Sequence, residues 1–148
     1  SMSASGVSIM TSSVDIANAR LRFANGCVAN ITSSRIAKDF VRKLRLFQQD
    51  MYVTIDFLLG LTEVYHVLEA GERDPNAVFT APLKGKNRER QIVYEKPKVY
   101  KIDALKLELE NFVASLSGEQ SPIVSGQEAR EALRIALEIQ EKIEQDLH

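Results

Sequence analysis

Apolar and polar residues alternate along much of the first half of the chain, a pattern typical of half-buried β-strands. In residues 15–23 every second position, from Asp15 to Phe23, is mostly apolar, and the intervening Asn18, Arg20 and Arg22 are polar. The dipeptide Asn25-Gly26 follows, and a second strand-like run occupies residues 27–34. An Asn-Gly pair between two such runs favours a type I′ turn, because both central residues of that turn need positive φ. We therefore predict a β-hairpin.

Further strands are predicted beyond a charged, irregular segment at residues 35–42, which has room for one short helical turn. Alternation marks residues 43–48, 51–57 and 62–68, and Gly60 interrupts it before the last of these runs. Because the links between these strands are short, they predict an antiparallel meander.

The stretch at residues 69–90 is the least regular part of the chain and contains glycines, prolines and clustered charge. It indicates a long loop or an exposed hairpin. Short strands are expected at residues 91–94 and 98–101, on either side of Pro97. A proline cannot donate to a strand ladder, so it favours a sheet edge or a bend here.

Two helices are predicted in the last third of the chain, where apolar residues recur at helical spacing. Asp103 is expected to cap the first helix and Gly118 to end it. Pro122 lies in the linker, and Ser125 with Glu128 forms the capping box that opens the second helix. The apolar stripes expected to face a core consist of Leu105, Leu109, Phe112, Val113 and Leu116 on the first helix, and of Ala129, Ala132, Leu133, Ala136, Ile139 and Ile143 on the second.

Strands first and helices last predict an α+β fold, a mostly antiparallel open sheet with helices packed on one face. The opposite face of that sheet mixes apolar and polar residues, for example Val28 with Asn30, or Tyr52 with Thr54. Such a face can be solvated, pack on another domain, or pair with a second copy of the chain across a two-fold axis. The pattern leaves these three alternatives open.

Composition narrows the class of protein. Of the 148 residues, 45% are apolar, which is enough for a single good core. The net charge of −1 argues against nucleic acid or an anionic membrane as a partner. No apolar run approaches the roughly 20 residues of a membrane span. The single cysteine, Cys27, excludes an internal disulfide. We expect a cytoplasmic protein.

The start of the chain carries a separate expectation. Ser1-Met2 resembles the scar of a cleaved tag, and residues 1–6 are interpreted as a small, polar lead-in to a domain over residues 7–148. We expect the chain to be cut from a longer protein, with a natural short protein as the alternative.

Candidate chemical groups are few, and no catalytic, cofactor-binding or metal-binding residue is predicted. His66 lies on a predicted strand, where a histidine is more often structural or exposed than catalytic. His148 is terminal, and Cys27 is interpreted as a small strand residue. For the basic residues within 84–90 we favour a solvated loop over an anion site. Acidic residues on the helices alternate with Lys and Arg, which indicates a solvated face rather than a metal site.

The hairpin segments, residues 13–23 and 25–35, together with residues 42–48, 52–57 and 122–136, resemble the C-terminal domain of the Gfo/Idh/MocA oxidoreductases. The resemblance implies an NAD(P)-dependent dehydrogenase or reductase acting on a sugar, a cyclitol or a sugar nucleotide. In that family an N-terminal Rossmann domain binds the NAD or NADP and carries the catalytic lysine. The family's catalytic Asp and His lie on a helix before the first strand of this domain. The resemblance therefore implies a chain that is inactive alone and binds no cofactor by itself.

The resemblance also implies two partners: a Rossmann domain, and a second copy of the chain joined through the open sheet face as a homodimer or higher oligomer.

One apparent motif is rejected. Glu95-Lys96-Pro97 spells the family's catalytic tripeptide, but it follows the strands of this sheet rather than a Rossmann strand, so Lys96 is assigned no catalytic role. The alternative function is a stand-alone, non-catalytic binding or dimerisation module.

Overall fold

The computed structural model describes residues 1–84, 89–100 and 102–147. Contacts within the chain divide it into two compact units, Ser1–Asp39 with Leu105–His148, and Phe40–Ala104. The first unit contains the strands β1 (Met2–Val7), β2 (Ile16–Arg22) and β3 (Val28–Ser34) and the helices α1 (Ala104–Leu116) and α2 (Gly126–Asp146). The second unit contains β4 (Lys43–Gln48), β5 (Met51–Asp56), β6 (Leu61–Glu69), β7 (Ala77–Lys84) and β8 (Glu89–Glu95). The predicted α+β class is confirmed, with the strands divided between two antiparallel sheets.

The first unit is a three-stranded sheet in the order β1-β2-β3, with α2 packed against β1. Alternation along β2 buries Ala19 and Leu21, as the pattern predicts. The first strand was not predicted, because the residues that alternate along it are mostly small and give only a weak apolar signal. Residues interpreted as a lead-in therefore pair along β2, from Met2 opposite Leu21 to Val7 opposite Ile16. The domain range 7–148 stays a prediction.

The predicted hairpin between β2 and β3 is confirmed, but its predicted turn type is wrong. The backbone N–H of Phe23 donates to the carbonyl of Cys27 at 2.9 Å, and that of Gly26 donates to the carbonyl of Phe23 at 3.1 Å. Gly26 has φ 86°, whereas no other residue type in the described chain has positive φ. Asn25 instead accepts the backbone N–H of Cys27 on its side chain at 3.0 Å. The loop is thus longer than a type I′ turn and places only glycine in the left-handed region.

Asp15 organises the loop between β1 and β2. One of its carboxylate oxygens accepts the backbone N–H groups of Ile9, Met10 and Thr11 at 2.8, 2.7 and 3.0 Å. The other accepts the Thr11 hydroxyl at 2.8 Å. These hydrogen bonds, led by those from Met10 and Ile9, hold the pKa of Asp15 far below its usual range. The carboxylate therefore stays ionised at neutral pH and serves as a structural anchor.

The second unit is a five-stranded antiparallel sheet in the order β4-β5-β6-β8-β7. The predicted meander is confirmed in β4, β5 and β6. Of the two alternatives for residues 69–90, the exposed hairpin is correct, since β7 and β8 pair with each other. Pro82 lies in β7 at the sheet edge, where its missing N–H breaks no central ladder. The strand expected at residues 98–101 is absent over residues 98–100, and Lys101 lies outside the described residues.

The helix boundaries follow the predicted signals. α1 begins directly after Asp103 and ends at Leu116, and Gly118, just beyond its end, has φ 78°. The N–H of Glu119 returns to the carbonyl of Ala114 at 3.0 Å, a Schellman ending. At α2, Ser125 and Glu128 exchange side-chain to backbone hydrogen bonds at 3.2 and 2.8 Å, so the predicted capping box is confirmed. The irregular segment at residues 35–42 forms no helical turn.

The prediction that both helical stripes face a core is wrong for most of their length. Of the six residues in the α2 stripe, only Ile143 is buried and only Ile139 is half-buried, while Leu133 is 59% exposed. On α1 all five residues of the predicted stripe are exposed, namely Leu105, Leu109, Phe112, Val113 and Leu116. Amphipathic spacing predicts that one face of a helix is apolar, but it does not determine whether another part of the chain packs on that face. No helix in the described part of the chain is long and apolar enough to cross a membrane.

Candidate functional site

A continuous row of aromatic rings crosses one face of the five-stranded sheet. Strand pairing places Phe47 opposite Tyr52, Tyr52 opposite Tyr65, Tyr65 opposite Tyr94, and Tyr94 opposite Phe79. The successive ring centroids lie 4.6, 5.8, 4.9 and 5.2 Å apart. Each cross-strand aromatic pair of this kind is worth on the order of 0.2–1 kcal/mol. We call these five residues the aromatic row; it extends over all five strands.

Polar groups on the same face hold the phenols of the row in place. The Thr54 hydroxyl donates to the Tyr52 oxygen at 2.9 Å, and the Tyr94 hydroxyl donates to Glu63 Oε1 at 3.0 Å. Burial, followed by the hydrogen bond and the charge of Glu63, raises the pKa of Tyr94 above its usual value. The phenol therefore remains a neutral hydrogen-bond donor at physiological pH.

The two ends of the aromatic row are open. Phe47 is 76% exposed and Phe79 is 51% exposed, whereas the three tyrosines between them are half-buried. A flat, partly polar row with exposed ends is suited to packing against another apolar or aromatic surface.

The opposite face of this sheet brings together His66, Asp74 and Glu95. Because successive side chains of a strand alternate, His66 and Glu95 point away from the face of their neighbours Tyr65 and Tyr94. His66 Nε2 lies 3.1 Å from Asp74 Oδ2, and His66 Nδ1 lies 3.0 Å from Glu95 Oε1. The three side chains are only 13%, 16% and 19% exposed. We call them the His66 cluster.

The hydrogen bonding of His66 is incomplete. Its Nδ1 atom is buried and has no hydrogen-bond partner in the described part of the chain, although Glu95 Oε1 lies close to it. One ligand atom from each member of the His66 cluster lies within 4.8 Å of the other two. One imidazole nitrogen and two carboxylate oxygens at this spacing are a donor set that divalent metals accept.

Sequence reasoning missed this cluster. His66 was interpreted as structural or exposed, and Asp74 lies in the loop between β6 and β7 with no recognisable spacing to it. Only the pairing of β6 with β8, which sets Val64 opposite Glu95 and His66 opposite Val93, brings Glu95 near the imidazole. No sequence signal would have found this arrangement.

The remaining sequence candidates are not brought together. Cys27 is exposed in the hairpin loop of the first unit, and Lys96 is exposed directly after β8. The basic segment at residues 84–90 falls largely outside the described residues, as does His148.

Comparison with known proteins shows that the chain is related to part of a dehydrogenase. No family model matches the chain. The chain is 29% identical over 139 residues to UDP-N-acetylglucosamine 3-dehydrogenase of Acidithiobacillus ferrooxidans (strain ATCC 23270), an alignment that covers 94% of this chain and 40% of that protein. Two crystal structures of UDP-N-acetylglucosamine 3-dehydrogenase GnnA from Acidithiobacillus ferrooxidans, in forms P21 and P212121, match with TM-scores of 0.80 and 0.78. Each is 28% identical and covers 100% of this chain and 41% of the other. The chain is thus homologous to part of a sugar nucleotide dehydrogenase and spans about two fifths of its length.

Proposed function

We propose that this chain is the substrate-side and subunit-association domain of a cytoplasmic NAD(P)-dependent oxidoreductase of the Gfo/Idh/MocA family that acts on a sugar nucleotide. The observation that carries the proposal is the homology over 94% of the chain to 40% of a UDP-N-acetylglucosamine 3-dehydrogenase. Of the sugars, cyclitols and sugar nucleotides that the sequence resemblance allows, the name of this relative favours the sugar nucleotide.

The described residues do not fit a dinucleotide. Dinucleotide phosphates are bound at the N-terminus of a helix that follows a strand of a parallel βαβ unit. All strand pairs in the described chain are antiparallel, so such a unit is missing from it. At the N-terminus of α2, the Glu128 carboxylate accepts the backbone N–H of Ser125 and places a negative charge where a phosphate would bind. We infer that a separate dinucleotide-binding domain holds the cofactor and performs the hydride chemistry.

The exposed apolar stripe of α1 supports docking against such a domain. Leu105, Phe112 and Leu116 are 64%, 59% and 72% exposed. Covering a side chain of this size stabilises an assembly by about 1.5–3 kcal/mol, so an uncovered row of them favours association.

The aromatic row supports the second part of the proposal, association of two copies through this sheet face. Its exposed ends offer apolar area, and its half-buried tyrosines supply the flat amphipathic surface that protein interfaces favour. If a two-fold axis ran along the aromatic row, each ring would stack on the same ring of the second copy.

Cofactor binding tests the first part of the proposal. We expect isothermal calorimetry of NAD⁺ and NADP⁺ against the chain to show no saturable heat. The protein encoded by the complete gene should reduce NAD⁺ or NADP⁺ in the presence of UDP-N-acetylglucosamine, followed by nicotinamide absorbance. Saturable cofactor binding to this chain, or a gene whose start codon encodes Met2, would refute a division of labour between two domains.

Two neighbouring residues of β4 test association. Phe47 belongs to the aromatic row, and Leu46, which is 49% exposed, points to the other face. In sedimentation velocity we expect the wild-type chain and Leu46→Ser to form the same oligomer, and Phe47→Ser to dissociate at a higher concentration. A monomeric wild-type chain, or equal effects of both variants, would exclude the row as the interface.

A further inference from the structure

We propose that the His66 cluster is a binding site for one divalent transition-metal cation of the zinc class, with His66, Asp74 and Glu95 each supplying one ligand atom. The site lies on the sheet face opposite the aromatic row. It is independent of the proposed oxidoreductase function, since it requires neither a cofactor nor a second domain.

Charge balance is the first argument. Asp74 and Glu95 place two carboxylates against one imidazole, and all three side chains are at least four-fifths buried. A single imidazole neutralises at most one negative charge, so the cluster retains net negative charge where water provides little screening. A divalent cation removes that imbalance.

The position of the imidazole is the second argument. Its Nδ1 is buried and lacks a hydrogen-bond partner among the residues that the structure describes, yet it lies 3.0 Å from Glu95 Oε1. Because a carboxylate oxygen lies close to each ring nitrogen, a neutral imidazole, which has only one N–H, leaves the lone pair of its other nitrogen facing an oxygen, and a cation relieves that repulsion. A metal ion would bind His66 Nδ1 and Glu95 Oε1 together as ligands. The carboxylate of Asp74, which lies beside Nε2, would join them from its loop.

Distances and donor types give the third argument. Zinc binds nitrogen and oxygen ligands at about 2.0–2.2 Å, which sets the ligands of a tetrahedral ion about 3.4 Å apart. The ligand atoms of the cluster lie within 4.8 Å of one another, so small side-chain rotations close the remaining gap. Imidazole nitrogen favours zinc over magnesium and calcium, and three protein ligands leave one tetrahedral position for water.

The site would join three parts of the second unit. His66 lies on β6, Glu95 ends β8, and Asp74 lies in the loop that leads into β7. A bound ion would hold that loop against the sheet and stabilise the hairpin of β7 and β8. The rival explanation is a protonated His66 held between two carboxylates with no metal.

The test uses the whole chain with no affinity tag, carrying Cys27→Ser and His148→Gln so that the exposed thiol and the other imidazole cannot bind metal. After treatment with a chelator and its removal, ZnCl2 is titrated by calorimetry, and the melting temperature is followed in parallel. We expect one Zn²⁺ per chain and a rise in melting temperature that EDTA reverses.

Asp74→Asn and Glu95→Gln change one ligand each with little change in shape, and each should weaken Zn²⁺ binding by at least about 10-fold. Glu63→Gln, on the same strand as His66 but on the opposite face, is the matched control and should bind as the parent does. Circular dichroism establishes that the variants are folded, and Co²⁺ absorption in the visible range reports tetrahedral ligation directly. The proposal is overturned if Zn²⁺ does not saturate the parent chain, or if both ligand variants bind it with unchanged affinity.

Discussion

Gly6 is the position in the first unit where adding a single carbon atom should lower the free energy of unfolding most. A Cβ atom built on Gly6 would lie 2.5 Å from Ile143 Cγ2, 2.8 Å from Val14 Cγ1 and 3.2 Å from the carbonyl oxygen of Ile16. Ile143 is 3% exposed and belongs to the contact between α2 and β1. Gly6→Ala therefore forces the side chains of Ile143 and Val14 into other rotamers, or the helix and the strand apart.

The magnitude follows from two opposing effects. Overpacking a well-packed contact costs about 1–3 kcal/mol. Replacing glycine by alanine also lowers the entropy of the unfolded chain, which stabilises the fold by about 0.4–1 kcal/mol. We expect a net loss in the free energy of unfolding of about 1–2 kcal/mol, measured by urea denaturation with circular dichroism.

Two further variants show whether the steric reasoning holds. Gly126→Ala, at the first position of α2, meets no atom within 4 Å and should raise the free energy of unfolding by up to about 1 kcal/mol. In an Ile143→Ala background the cost of Gly6→Ala should shrink, because its nearest clash is removed. Gly6→Ala without loss of stability, or with the same cost in both backgrounds, would refute close packing of α2 on β1.

Three other measurements probe local interactions. Ser125→Ala removes the hydroxyl that accepts the Glu128 N–H and should cost about 1 kcal/mol in urea unfolding; an unchanged midpoint would show that the capping box does not stabilise α2. The lowered pKa of Asp15 means that its carboxylate stabilises the fold above the unfolded value of about 3.9 and loses this effect as pH falls through the lower folded value. Stability should therefore decline on acidification below about pH 4, and Asp15→Asn should reduce that slope; equal slopes would contradict the anchor. Ultraviolet titration should find Tyr94 ionising above the usual range, and Glu63→Gln should lower its midpoint, whereas an unmoved midpoint would exclude the influence of Glu63.

Local sequence signals predicted the elements where the relevant physics is local. Alternation located β2, β4, β5 and β6, because a half-buried strand must place apolar residues at every second position. Gly118 and the Ser125–Glu128 capping box located helix ends, since their hydrogen bonds join residues a few positions apart. β1 was not predicted because its alternating residues are mostly too small to give a clear apolar signal. The type I′ turn was wrong because Asn25 uses its side chain rather than positive φ.

The candidate sites depended on contacts between residues distant in sequence. The aromatic row exists because four strand pairings set Phe47, three tyrosines and Phe79 opposite one another, and no single strand contains more than one of these rings. The His66 cluster needs β8 to insert between β6 and β7, which the irregular stretch at residues 69–90 concealed.

Periodicity and turn chemistry thus establish the α+β class and most strand and helix bounds, because these features are written in neighbouring residues. The resemblance to an oxidoreductase domain rests instead on the likeness of whole sequence segments. The partition into two sheets, the order of the five strands and the meeting of His66 with Asp74 and Glu95 arise from long-range pairing. Pairing register is determined by the combined burial and hydrogen bonding of whole strands, so it cannot be identified from any one position in the chain.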